Sequence, residues 1–351
     1  MAEPEHLKYF EAIFKSITEG VLIVDPKGYI VLANQKFKDI LKMDETPEGK
    51  QIIEVIRNID LLNLLRSAML KKEESSEEIV IKKSGRELFI FAKVMPVLTS
   101  EGKLSSLIVL LHDITRLKQL ESIRRDFVAN VSHELKTPIT AIKGYAEALL
   151  GGAINERDNA LKFVQIIKSQ AERLSALVED LLTISRIEFG DITVEKEDIL
   201  LNELVDTVFQ IFHDKAEKKG LFLKNEISGD VTVYADRDKL IQILTNLVDN
   251  SIKFTENGGV TLKFYQENSS SVLSVEDTGI GIPSAHLHRL GERFYRVDKA
   301  RSRQLGGTGL GLAIVKHLVR AHEWDLKIES EHGKGTKVKI IIPEKLRDIS
   351  Q

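Results

Sequence analysis

The sequence predicts a multidomain α+β chain in three parts: a small α+β domain closed by an antiparallel sheet, an antiparallel helical hairpin forming a dimeric four-helix bundle, and an α/β layer domain. Three observations predict it. Alternating apolar runs punctuated by turn residues fill the first third, a long zone with apolar spacings of three and four follows, and from about Asp191 helices alternate with strands around glycine-rich loops. At 351 residues the chain is long for one domain. The boundaries read as 1–114, 115–190 and 191–351.

In the first part, "GVLIVD" and "YIVLANQKF" flank the turn "PKG", and "EEIVIKKSGRELFIFAKVMPV" reads as a hairpin around Ser84-Gly85. "KLSSLIVLLHDIT" supplies a last strand. The helical zone runs from about Thr115 to Leu150 and from Glu156 to about Ile187, broken by "GGAINERD". Its second arm carries Leu161, Val164, Ile167, Ala171, Leu174, Leu177, Leu181 and Ile184 as one broad seam, which a hairpin buries best against a second copy. The third part holds the strands "VTVYA", "GVTLKFYQ", "VLSVED" and "KVKIIIP".

Composition excludes several chemistries. There is no cysteine, so disulfides, thiolate metal sites and cysteine nucleophiles are out, and a reducing compartment fits. Charged residues make up 29% but nearly cancel, at a net charge of −3, so nothing points to nucleic acid or to a membrane surface. No apolar run reaches the roughly 18 residues a membrane span needs, and "MAEPEHLKYF" has no signal-peptide core. The expectation is a soluble chain, cytoplasmic or the cytoplasmic portion of a membrane-anchored sensor, with any upstream membrane segment of a natural parent lying outside it.

One histidine stands on the wrong face of its helix. At about 100° per residue, Leu117, Leu120, Phe127, Val128, Val131, Leu135, Ile142, Tyr145 and Leu149 project opposite to His133. His133 must face solvent, Thr137 shares its face one turn on, and Glu134 lies about a quarter-turn away. Pro138 removes a backbone donor and favours a bend just past the site. An exposed imidazole with a carboxylate able to take its other ring proton is a nucleophile, and its electrophile must come from elsewhere.

The third part offers a nucleotide pocket. In "DKLIQILTNLVDNSIKFT", Asn246, Asn250 and Lys253 fall within about 60° of one another on the polar edge of a helix. Amide oxygens are hard ligands suited to Mg²⁺ and an ammonium suits phosphate, although this edge alone also fits a solvated face. In "VEDTGIGIP" a strand ends at Asp277, an acceptor for an exocyclic amine, and Gly279 and Gly281 allow a ligand close approach. "GGTGLGLAIV", from Gly306 to Val315, sets a glycine loop before an apolar helix, an anion site. Between them "GERFYRVDKARSRQ" has the length of a lid, in which Arg296 could reach a terminal phosphate and Tyr295 could flank the base or the lid hinge.

In this order the motifs resemble those of the sensor histidine kinases of two-component signalling, most of all phosphate-regulon-type members with a PAS domain. "SHELKTP" resembles the H box, "NLVDNSIKF" the N box, "DTGIGIP" the G1 box, "ERFYRVD" the F box and "GGTGLGLAI" the G2 box, and the likeness covers nearly the whole chain. "HDITRLKQLE" is similar to the usual junction after a PAS domain. The resemblance implies a PAS-like sensor at 1–114, a dimerisation and phosphotransfer hairpin at 115–190, and at 191–351 a sandwich of the histidine-kinase, chaperone and topoisomerase ATPase type. It implies autophosphorylation of His133 from ATP, with Glu134 as general base, then transfer to an aspartate on a response regulator receiver domain. Thr137 would orient water for dephosphorylation of that regulator, and Arg296 would stabilise the transferred phosphoryl group. By the same resemblance Asn250 holds Mg²⁺, Asn246 and Lys253 meet phosphates, Asp277 takes adenine N6, and Gly307, Thr308, Gly309, Leu310 and Gly311 surround the phosphate chain.

Two positions depart from the family pattern. Gly291 stands where the F box carries phenylalanine, implying a looser lid, and "HEWDL" puts Glu323 and Trp324 where the family reads two glycines. Two other readings stay open: a nucleotide-binding scaffold without catalysis, and a chaperone- or topoisomerase-like ATPase that passes phosphate to water.

Overall fold

The computed structural model describes residues 5–83, 85–188, 193–267, 270–298 and 307–343. Its backbone divides into two compact units, 1–126 and 127–351.

The first unit holds helix α1 (Glu5–Ser16), strands β1 (Gly20–Val24) and β2 (Ile30–Ala33), and helices α2 (Gln35–Leu41), α3 (Ile52–Val55) and α4 (Ile59–Lys71). Strands β3 (Ser75–Lys83), β4 (Arg86–Leu98) and β5 (Leu104–Asp113) complete it. The five strands form one antiparallel sheet in the order β2-β1-β5-β4-β3. The β3–β4 hairpin turns as expected, with Lys83 opposite Arg86, although Ser84 lies outside the described residues. "YIVLANQKF" is not one strand. It stops at Ala33 because the buried Asn34 side chain accepts from the backbone N–H groups of Val21 and Phe37, both at 2.9 Å, and so caps α2. Leu22, Phe37, Leu61, Ile90 and Val109 form the core between sheet and helices.

Helix α5 (Thr115–Leu150) leads from the first unit into the second and remains helical through Pro138. Helix α6 (Arg157–Glu188) is the returning arm. The expected seam of α6 is divided in function. Leu161 and Val164 stay exposed, while Leu177 and Ile184 are buried in the core of the α/β layer with Leu181 packed against it. Burial of each of these aliphatic side chains contributes about 2 kcal/mol, so this end of the hairpin is anchored to the layer rather than reserved for a second copy.

The rest of the second unit holds β6 (Glu197–Leu200), α7 (Leu201–Glu217), β7 (Phe222–Asn225), β8 (Thr232–Ala235) and α8 (Arg237–Phe254). It continues with β9 (Gly259–Glu267), β10 (Ser270–Asp277), α9 (Ser284–Leu287), α10 (Gly311–Ala321), β11 (Asp325–Glu331) and β12 (Gly335–Pro343). One sheet runs β11-β12-β10-β9-β7, with only the β7–β9 pairing parallel, and a second pairs β6 with β8. The apolar faces of α7, α8 and α10 pack with the larger sheet around Leu244, Val248, Leu273 and Ile314. This sandwich places the polar edge of α8, the end of β10 and the start of α10 around one hollow.

His322 closes α10. It is 1% exposed, its Nδ1 lies 2.8 Å from the carbonyl of Leu318, and its Nε2 accepts from the N–H of Asp236 at 3.1 Å, while its ring lies against Trp324. Burial pushes its pKa down, so the neutral ring is the folded form. Glu323 next to it adopts φ 66, a left-handed conformation that strains a residue with a Cβ. The departure from the family's glycine thus changes the turn at a cost. Lys196 lies 3.9 Å from the Glu323 carboxylate, but that carboxylate is 70% exposed and the pair adds little. Substitution E323G should therefore stabilise the lobe by about 1 kcal/mol and raise its melting temperature by a few degrees. Thermal denaturation checks this, and an unchanged or lowered midpoint would contradict the strain.

Candidate nucleotide site on a histidine-bearing hairpin

The hollow is a cavity of about 360 Å³ lined from four directions. Helix α8 contributes Asn246, Asn250 and Lys253, all facing it as the rotation arithmetic requires. The carboxylate of Asp249, one residue before Asn250, lies 2.6 Å from the Lys253 ammonium and is also bound by Lys215. Burial works to raise the Asp249 pKa, yet Lys253 and Lys215 outweigh it and hold the group below the usual carboxylate range.

Strand β10 ends at Asp277, whose Oδ1 accepts from the N–H groups of Gly279 at 2.9 Å and Thr336 at 3.2 Å. Its Oδ2 accepts from Ser251 Oγ at 3.2 Å. Burial pushes its pKa up despite these three donors. Gly279 does not line the cavity; its N–H orients Asp277 instead. Gly281 does line it, at φ 63, and a Cβ there would lie 2.0 Å from the carbonyl oxygen of Glu331.

The loop before α10 brings Gly307, Thr308, Gly309 and Gly311 to the cavity, whereas Gly306 and the lid residues 299–306 as a whole lie outside the described residues. Gly309 has φ 77, and a Cβ there would press on Phe294 at 3.0 Å. Leu310 departs from expectation. Its side chain is fully buried in the core and its N–H is taken by Thr308 Oγ1 at 3.2 Å, so it shapes the loop from behind. In the lid, Tyr295 lines the cavity with its hydroxyl 2.6 Å from His286 Nδ1 and its ring under Arg289. Gly291 sits at φ 84, a conformation glycine favours and phenylalanine does not.

His133 is exposed, as is Thr137, whose hydroxyl donates back to the carbonyl of His133 at 3.1 Å. Neither lines the cavity. Glu134 links hairpin and cavity: its Oε2 accepts from Nη2 of Arg173 on α6 and from Nη2 of Arg296 in the lid, both at 3.1 Å. Arg296 also donates to the carbonyl of Thr308 at 2.7 Å, and its side chain is 6% exposed. The buried Arg296 Nε has no hydrogen-bond partner among the described residues. A buried guanidinium with a spare donor at the mouth of a glycine loop fits an anion.

Sequence reasoning missed Arg173, Asp180 and Asp249. Asp180 on α6 lines the cavity and accepts from Thr308 Oγ1 at 2.8 Å. The available signal was positional, because Arg173, Leu177, Asp180 and Ile184 share one face of α6, where two charges interrupt an apolar stripe.

Fold and site together define a nucleotide-binding sandwich docked on a helical hairpin that carries an exposed histidine. The comparisons with known proteins agree. Residues 235–346 match the family "Histidine kinase-, DNA gyrase B-, and HSP90-like ATPase", residues 123–190 the "His Kinase A (phospho-acceptor) domain" and residues 18–116 the PAS domain. The sensor histidine kinase WalK of Bacillus subtilis (strain 168) is 33% identical over 98% of this chain and 56% of its own length. A sensor protein kinase WalK of Staphylococcus aureus is 31% identical over 95% of this chain and 80% of its own. A solved structure of histidine kinase ThkA in complex with response regulator protein TrrA shares the fold, with a TM-score of 0.51 and 23% identity over 95% of this chain and 98% of that one. The chain belongs to the sensor histidine kinases. It spans about half the length of the first of these relatives, and among the described residues no helix is long and apolar enough to cross a membrane.

Proposed function

We propose that this chain phosphorylates itself on His133 with ATP and passes the phosphoryl group to an aspartate of a response regulator receiver domain. The observation that carries the proposal is the meeting of the two parts: Arg296 of the nucleotide lobe reaches, at 3.1 Å, the carboxylate next to the exposed His133. In the first transfer an imidazole nitrogen of His133 forms a bond to the γ-phosphorus, the bond to the ADP oxygen breaks, and Glu134 takes the proton from the other ring nitrogen. In the second, an aspartate oxygen takes the phosphorus and the imidazole recovers a proton. Because His133 lies outside the cavity lining, the lobe must move on the hairpin before the first step.

Within the pocket, Asp277 takes the exocyclic amine of adenine, Asn246 and Lys253 meet phosphates, and the loop from Gly307 to Gly311 offers backbone N–H groups. Arg296 offsets charge on the transferred group. Asn250 presents a hard amide oxygen for Mg²⁺, which when bound neutralises phosphate charge. Thr137 orients water when the regulator is dephosphorylated. The parts are assigned as sensor at 1–114, phosphotransfer hairpin at 115–190 and catalytic lobe at 191–351. A second copy covers the exposed Val128, Leu161 and Val164, which makes the hairpin a dimeric bundle. The partnership with a response regulator has a parallel in ThkA, solved in complex with response regulator protein TrrA.

The test is where the label from γ-labelled ATP comes to rest. Recovery on the protein as an acid-labile, alkali-stable phosphoramidate is expected. Recovery wholly as free phosphate would instead favour the chaperone- and topoisomerase-like ATPase reading.

A further inference from the structure

The hairpin places two carboxylates against a lid group and a glycine-loop group well placed to meet a phosphate chain. Glu134 of α5 holds the Arg296 guanidinium, and Asp180 of α6 holds the Thr308 hydroxyl. Each carboxylate occupies a donor that a nucleotide phosphate would otherwise take. Thr308 is consequently fixed at both ends, its carbonyl by Arg296 and its hydroxyl by Asp180. Asp180 itself lines the cavity beside Asp249 and Lys253. Burial already pushes the Asp180 pKa up, and in its ionised form a carboxylate set in the wall of the pocket repels an arriving phosphate a few ångströms away.

We propose that Asp180 is a positioning residue that makes nucleotide loading and release of the lobe from the hairpin one linked event. With the pocket empty, Asp180 clips the glycine loop to α6 and stands in for a phosphate oxygen. An arriving nucleotide competes for Thr308 and Arg296 and repels Asp180, so binding energy is diverted into undocking, and the freed Glu134 regains an oxygen able to accept a proton from His133. By linkage, whatever holds the hairpin in the docked arrangement weakens nucleotide binding by the same factor. This rests on the nucleotide reading above and deepens it, since it assigns to the phosphotransfer hairpin a residue of the nucleotide pocket.

The test uses the full chain and a fluorescent, non-hydrolysable ATP analogue. Asp180→Asn keeps the shape and a group able to hydrogen-bond Thr308 but removes the charge, and it should bind the analogue about tenfold more tightly, a change of ~1.4 kcal/mol. A gain of affinity is an outcome that a merely structural role for Asp180 would not produce. The chain has no cysteine, so nitroxide labels at Lys168→Cys on α6 and Lys327→Cys on β11, both exposed positions, report the hairpin-to-lobe distance without background. In the otherwise unaltered chain the distance should change as the analogue saturates; in the Asp180→Asn form the change should come at lower analogue concentration. Normal binding with no gain on substitution, or labels that stay put at saturation, would overturn the inference and leave the kinase reading intact. A chain that binds no analogue in either form would overturn both.

Discussion

The His133→Ala chain incorporates no label from γ-labelled ATP, a fall of at least about a thousandfold, while its affinity for nucleotide stays within about twofold of the parent. The two halves of this expectation have separate physical causes. Incorporation needs a nitrogen lone pair beside a proton acceptor, and among the hairpin's residues 115–190 only His133 is an imidazole, with Glu134 next to it. Removing a nucleophile removes the covalent step rather than weakening it. Affinity is retained because His133 does not line the nucleotide cavity. Two histidines of the nucleotide lobe are already engaged. His322 is buried with both ring nitrogens engaged, and the Nδ1 of His286 is held by Tyr295. Label retained on the alanine variant would place the acceptor elsewhere, and lost affinity would mean that His133 belongs to the pocket. Gel autoradiography and an equilibrium titration of the same preparation decide between these results.

The parts of this architecture legible in the sequence are those set by local periodicity. Both hairpin arms follow from apolar spacing, and the exposure of His133 follows from rotation about one helix. The strands that escaped notice are β6, β7 and β11. Two of them are only four residues long, and β11, "DLKIESE", is a polar strand at the edge of its sheet whose pattern resembles a solvated loop. The site divides along the same line. Asn246, Asn250 and Lys253 share one helix edge and could be grouped by arithmetic. Asp180 and Thr308 are 128 residues apart and Glu134 and Arg173 are 39 apart, so their pairing is a product of tertiary packing that no local pattern encodes. The seam on α6 shows a related limit: an apolar stripe says that a face is buried, but not which part of it a second hairpin covers and which part, as at Leu177 and Ile184, the chain's own α/β layer covers.

Asp277→Asn should abolish tight nucleotide binding, by about a hundredfold or ~3 kcal/mol, without harming the fold. The amide can keep Oδ1 under the two backbone donors, Gly279 and Thr336, while Nδ2 takes the place of Oδ2 and donates to Ser251 Oγ, reversing that bond. The framework around the strand end therefore survives. Stability should hold or rise, as the sign of the pKa shift requires. Burial raises the folded-state pKa of Asp277 above its unfolded value, so the group favours folding most when protonated, below the unfolded pKa, and ionisation becomes a cost as pH rises through the folded value. A neutral amide removes that cost at neutral pH. Recognition suffers because the oxygen available to accept from an adenine amino group becomes an N–H donor, and two donors face each other in a buried site. The same reversal suits a purine with a carbonyl at that position, so the ratio of ATP to GTP affinity should fall further than the affinity for GTP itself. Titrations with both nucleotides beside a thermal melt separate the possibilities: lost binding with an unchanged or higher melting point supports Asp277 as the adenine acceptor, whereas an equal loss for both nucleotides, or a collapsed melting transition, assigns it to the framework instead.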